Sequence, residues 1–168
     1  MTLGELLVDA FERVRTGAEE AVRGLTPEQL AQRPSPRANS IAWLVWHLTR
    51  IQDDHVADVA GTEQVWLAQG WHERMGLPFR PDDTGYGHTS EQVEQLRGLD
   101  ADRLIGYLDA VHRQTVGYVS ALTPDDLGRV VDERWDPPVT LGVRLVSVVN
   151  DDSQHVGQAA FVRGLVRS

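Results

Sequence analysis

The chain has 168 residues, 41% of them hydrophobic and 24% charged, enough for a single domain (1–168) with a continuous apolar core. Sixteen basic against 25 acidic residues leave a formal charge of −9, which argues against nucleic acid or an anionic membrane as a partner, since both need a clustered basic face. The absence of cysteine excludes disulfides, thiolate metal sites and cysteine nucleophiles. No apolar run approaches the roughly 20 residues of a membrane span, and Met1–Glu5 lacks the basic start and apolar core of a signal peptide. A soluble cytoplasmic protein is expected. All 16 basic residues are arginine, a bias that points to a GC-rich genome.

In chain order, Leu3, Leu6, Leu7, Ala10, Phe11, Val14, Ala18 and Val22 recur at three- and four-residue steps, predicting a first long helix that ends at Gly24. Thr26-Pro27-Glu28 then starts a short helix, with threonine as cap and proline at its first position. A loop follows over Arg33–Arg37. Asn39 or Ser40 caps a second long helix that runs to Ala60 and stops at Gly61. Its stripe is Ile41, Leu44, Leu48, Ile51, His55 and Val59. From Gly61 to Ser90 the periodicity weakens in a stretch rich in aromatics and glycine. Such a long connection reads either as functional or as a cover over one end of the helices. Glu91–Gly98 is a short helix or the start of the next one. A third long helix is predicted over Asp100–Leu122, and Leu122–Leu127 echoes the Leu25–Leu30 segment. After a loop at Asp136-Pro137-Pro138, Thr140 caps a fourth long helix reaching Val166. Each half therefore reads as helix, Leu-Thr-Pro turn, loop, hydroxyl cap and helix with an inward histidine. Two such pairs suit an all-α bundle of four helices.

The fourth helix carries the chemistry. At about 100° per residue, His155 falls in the middle of the stripe made by Val148, Ala159, Val162 and Val166, with Asp151 about 40° to one side and Asp152 about 60° to the other. A carboxylate on an apolar face is costly unless it is paired or holds a cation. A histidine and an aspartate at i, i+4 can reach one metal ion, and i, i+3 also works in bundles. On the second helix His47 lies at the stripe's edge and His55 at its centre, and either can supply a third ligand. Three protein ligands would leave coordination positions open for water or substrate, as in catalytic sites. The competing reading is a buried polar network with no metal. His72, His88 and His112 look like loop or surface residues; of these only His88, beside the glycines, is kept as a pocket candidate.

His47 in Trp46-His47-Leu48, the run Asp151-Asp152-Ser153-Gln154-His155-Val156-Gly157-Gln158 and the order of helices together resemble the DinB-like superfamily, in its actinobacterial branch. The likeness extends over essentially the whole chain and includes the family's His-x-Gly-Gln segment, here His155-Val156-Gly157-Gln158. It implies a four-helix bundle of up-down-down-up topology, often a homodimer. It also implies a divalent metal, commonly zinc or nickel, held by one histidine of the second helix and a pair four apart on the fourth. By position these are His47, Asp151 and His155. The sequence departs from the commonest pattern in having Asp151 where the family more often has histidine; related mycothiol-dependent isomerases carry a carboxylate there. The harder oxygen donor leaves the identity of the metal open.

Family members of known activity use a low-molecular-weight thiol, mycothiol or bacillithiol, whose sulfur the metal keeps as thiolate. The lack of cysteine is compatible with a sulfur supplied by a small molecule, and the GC-rich bias favours mycothiol. The resemblance thus implies a metal-dependent S-transferase or isomerase acting on a small electrophile. The alternatives are a non-catalytic metal-binding or stress-related protein and a structural dimer without metal. For the first, His55 and Asp152 are supporting groups or alternative ligands, and Trp43, Trp66, Trp71, Tyr86 and His88 are candidate pocket walls.

Overall fold

Each long helix begins where a polar side chain can take up one of its free N–H groups. In the computed structural model, which describes residues 1–167, Thr2 and Glu5 form a capping box at the start of α1 (Leu3–Val22). Thr26 and Gln29 do the same for the five-residue α2 (Pro27–Ala31). Ser40 caps α3 (Ile41–Ala60), and Gly61 ends it in the left-handed conformation that closes a helix. Asp100 caps α7 (Ala101–Val119) and Thr140 caps the 26-residue α8 (Leu141–Val166). Two predicted ends move inward: the first long helix stops at Val22 rather than Gly24, and the third at Val119 rather than Leu122.

The contacts between helices fix their directions. The backbone of Gly17 faces Val156, and Arg163 donates to the Ala21 carbonyl, so α1 and α8 run the same way. His47 meets His155 while His55 meets Arg144, so α3 runs against α8. Asp53 with Tyr107 and Val59 with Tyr118 make α3 and α7 parallel. Glu12 with His112 and Gly4 with Ser120 make α1 and α7 antiparallel. Parallel neighbours need a long crossover, and Gly61–Asp100 supplies it.

That crossover is more ordered than its weak periodicity predicts. It holds α4 (Val65–Ala68), α5 (Trp71–Met75) and α6 (Ser90–Glu94); α6 is separate from the third long helix rather than its beginning. Gln64 offers α4 no side-chain cap. Instead the Asp53 carboxylate, from α3, accepts from the backbone N–H groups of Val65 and Trp66, both at 2.8 Å. A second departure from the expected all-helical pattern lies between α7 and α8. A 3-10 turn (Pro124–Gly128) leads into a small antiparallel hairpin, β1 (Val130–Asp132) with β2 (Val139–Thr140).

Every residue from Ile41 to Arg50 is buried, because α2, α7, α8 and the crossover surround the first half of α3. A stripe edge is therefore as buried there as a stripe centre. The core includes Trp46, Leu48, Trp66, Tyr107 and Leu108 on this side, and Phe11, Val119, Leu141 and Val148 towards the opposite end. No helix among the described residues is long and apolar enough to cross a membrane.

Candidate metal centre

The i, i+4 spacing of Asp151 and His155 on α8 brings Asp151 Oδ2 to 3.7 Å from His155 Nε2. Across the interface, the ring of His47 on α3 lies 4.9 Å from that of His155, edge to face. One donor atom from each of these three residues falls within 4.8 Å of the others, and among the described residues no other group of three histidine, cysteine or acidic side chains could hold a metal in this way.

Both imidazoles are held by one nitrogen. Nδ1–H of His47 donates to the Thr84 carbonyl at 2.6 Å, and Nδ1–H of His155 donates to Gln158 Oε1 at 3.1 Å. Each leaves the lone pair of Nε2 free, the tautomer a metal requires. Burial pushes the His47 pKa below the usual histidine range, opposed by its bond to Thr84; this favours the neutral, ligating form. Asp151 Oδ2 is buried without a hydrogen-bond partner, although the carboxylate as a whole is 42% exposed. An inward carboxylate oxygen beside two imidazoles is a donor set that fits a divalent cation and is costly without one.

Trp43 forms one wall. Its ring stacks on His47 at 4.5 Å and meets His155 edge-on at 6.1 Å, while Nε1–H donates to His88 Nδ1 at 3.1 Å. His88 in turn donates from Nε2 to the Asp83 carboxylate at 3.0 Å. Gly85 closes the same side. A Cβ there would stand 2.8 Å from Trp46 Cζ3 and 3.0 Å from His47 Nδ1, and its φ of +88° is one that side chains rarely adopt.

The other sequence candidates are placed differently. His88 lies in a loop, as one of its two expected placements had it, but its side chain is only 3% exposed. His112, also expected at the surface, is buried against Glu12 at 2.8 Å. His72 is half-buried and bonds the Phe79 carbonyl. His55 accepts on Nδ1 from Arg144 at 3.1 Å, outside the triad, in a cavity of about 490 Å³ with Asp54, Asp58 and Arg134. Trp66 and Trp71 pack on Tyr107 in the core, and Tyr86 is 90% exposed, so these three do not wall the triad. Asp152 is fully buried with neither oxygen paired; its pKa is pushed well up by burial, with Asp151 adding to the effect.

Sequence reasoning missed Thr84, which acts through a backbone carbonyl and leaves no side-chain signature. It also missed the buried group of Arg50, Asp53 and Tyr107. Tyr107 donates to Asp53 at 2.8 Å, and Arg50 donates to Tyr107 and to the Asp83 carbonyl. Arg50 and Asp53 stand three residues apart on one helix, close enough to pair, which was the available signal.

Two histidines and a carboxylate turned towards one another from two facing helices make a possible metal site. The chain is a member of the DinB superfamily, whose profile matches residues 10–159. It is also similar to a solved structure, a conserved protein from Enterococcus faecalis, with 31% identity over 99% of this chain and 98% of that one and a TM-score of 0.91. No curated protein matches the chain.

Proposed function

We propose that the protein is a divalent-metal-dependent enzyme that uses a low-molecular-weight thiol, mycothiol in our reading, for S-transfer to a small electrophile or for its isomerisation. The observation that carries the reading is the convergence of one ring nitrogen each of His47 and His155 with the Asp151 carboxylate, whose Oδ2 has no hydrogen-bond partner. Three protein donors leave coordination positions for a small molecule. A bound zinc or nickel ion would supply Lewis acidity, lowering the pKa of a thiol placed beside it. The protein's own part is to orient: Thr84 and Gln158 hold the imidazoles in one tautomer, and Trp43 keeps water from the inner side of His47. With no cysteine in the chain, the sulfur would come from the small molecule.

The relative directions of α1, α3, α7 and α8 support reading them as a four-helix bundle in up-down-down-up order. A cytoplasmic homodimer is part of the proposal. It is supported by exposed Leu6 and Val146, which line an apolar groove with Leu7, Ala10, Leu145 and Val149. The depth of His47, 5% exposed, favours a second reading, a non-catalytic metal-binding protein.

The test is elemental analysis of untagged protein beside its His155→Ala variant. About one zinc or nickel per chain, lost in a variant that keeps its helical circular dichroism, is expected. Turnover of an electrophile only when mycothiol is added would then favour the enzyme over the binding protein. Full metal content in His155→Ala would overturn the ligand set.

A further inference from the structure

We infer that Asp83 is the positioning residue of this centre, setting His47 through two separate routes; the inference rests on the reading of His47 as a metal ligand. The first route is backbone. Asp83 Oδ1 accepts from the Gly85 N–H at 2.7 Å, folding the chain two residues on. The turn aims the intervening Thr84 carbonyl at His47 Nδ1, 2.6 Å away. The second route is through side chains. The same carboxylate accepts from His88 Nε2–H, which fixes His88 Nδ1 as the acceptor for Trp43 Nε1–H. Trp43 is thereby held with its ring stacked 4.5 Å from that of His47 at an interplanar angle of 17°.

One route fixes which nitrogen of His47 carries the proton, and the other fixes the plane of the ring. Both start at one carboxylate that touches no ligand atom. Asp83 is itself tied to the core, because its carbonyl accepts from Nε of the fully buried Arg50 at 3.1 Å. His88 is clamped between Trp46, stacked at 5.8 Å, and Phe79 at 4.6 Å. The loop therefore transmits the position of Asp83 to His47 rather than absorbing it.

The experiment uses three variants of the full chain: Asp83→Ala, Asp83→Asn and His88→Phe. Two quantities are read for each: zinc affinity by chelator competition, and the His47 tautomer in metal-free protein from the 15N shifts of its ring. Loss of an outer group that orients a ligand weakens metal binding by about 10–100-fold, the range expected for Asp83→Ala, together with loss of the single Nδ1–H tautomer. Asp83→Asn keeps an acceptor for Gly85 N–H, so it should retain the tautomer and most of the affinity, and it serves if Asp83→Ala does not fold. His88→Phe cuts only the side-chain route and should lower affinity with the tautomer intact. Wild-type zinc affinity and an unchanged tautomer in Asp83→Ala would overturn the inference; if that variant does not fold, a mixed tautomer in His88→Phe would do so. If wild-type protein binds no zinc while the tautomer still changes in Asp83→Ala, the metal reading fails and the positioning of His47 by Asp83 stands.

Discussion

Two groups of buried polar atoms, on facing helices of this molecule, are treated in opposite ways. Asp53, on α3, is surrounded by donors: Val65 and Trp66 N–H, Tyr107 O–H and, 3.6 Å away, Arg50. Asp151 and Asp152, on α8, have inward oxygens with no hydrogen-bond partner. The first arrangement is what a scaffold needs, since a buried charge is tolerable only when its partners are fixed. The second leaves acceptor capacity unspent, and in Asp151 that capacity faces two imidazoles. Satisfaction of buried polar groups, more than their mere presence, separates the structural cluster from the candidate site.

The comparison breaks most visibly at Asp53. Asp53→Ala would strand Arg50 without its counter-charge and uncap α4, and is expected to cost about 3–5 kcal/mol, the range for removing one partner of a buried pair. Urea denaturation followed by circular dichroism measures this; a loss under 1 kcal/mol would mean that the cluster is not the scaffold.

Asp152→Asn is expected to act in the opposite direction. The Asp152 carboxyl has a folded pKa above its unfolded value, so the folded state keeps a proton that the unfolded chain releases. Stability from this residue therefore falls as pH rises above about 4, towards the raised pKa. In metal-free protein, Asp152→Asn should match wild type near pH 4 and exceed it by about 1–2 kcal/mol at pH 7. Parallel stability curves for the two proteins would refute the assignment.

Gly85→Ala puts a methyl group into the contact with Trp46 and His47 and asks alanine to hold a positive φ. The turn must move, so zinc affinity should fall about tenfold, within the range for outer-shell damage. His55→Ala should have the smallest effect, a change in zinc affinity of less than about threefold, because His55 bonds Arg144 and stands outside the triad. A loss equal to that of His47→Ala would move the centre towards His55.

Much of the frame was readable from residue types alone. Thr26, Ser40 and Thr140 announced their helices as caps, Gly61 announced a stop, and the four-residue spacing of Asp151 and His155 put both on one face. What escaped has a common physical cause. Helix α4 is four residues long and takes its cap from Asp53, on a different helix; a window of sequence cannot see that. The hairpin of β1 and β2 is too short to show alternation. The burial of His88 and His112 depends on neighbours 45 and 100 residues away, Trp43 and Glu12. The choice between His47 and His55 could not be made from the stripe, because α3 is enclosed on all sides where His47 lies and open where His55 does.

The crossover hydrogen-bonds the histidine through one carbonyl oxygen, that of Thr84, and a carbonyl is common to every amino acid. Tyr86, between two glycines of positive φ, points into solvent. Apart from Asp83 and His88, this stretch of the crossover is thus chemically uncommitted: the Thr84 and Tyr86 side chains can be exchanged while His47 keeps its orientation. A protein built this way can vary its outer surface here without disturbing the orientation of His47, and randomising Thr84 and Tyr86 is the natural place to begin.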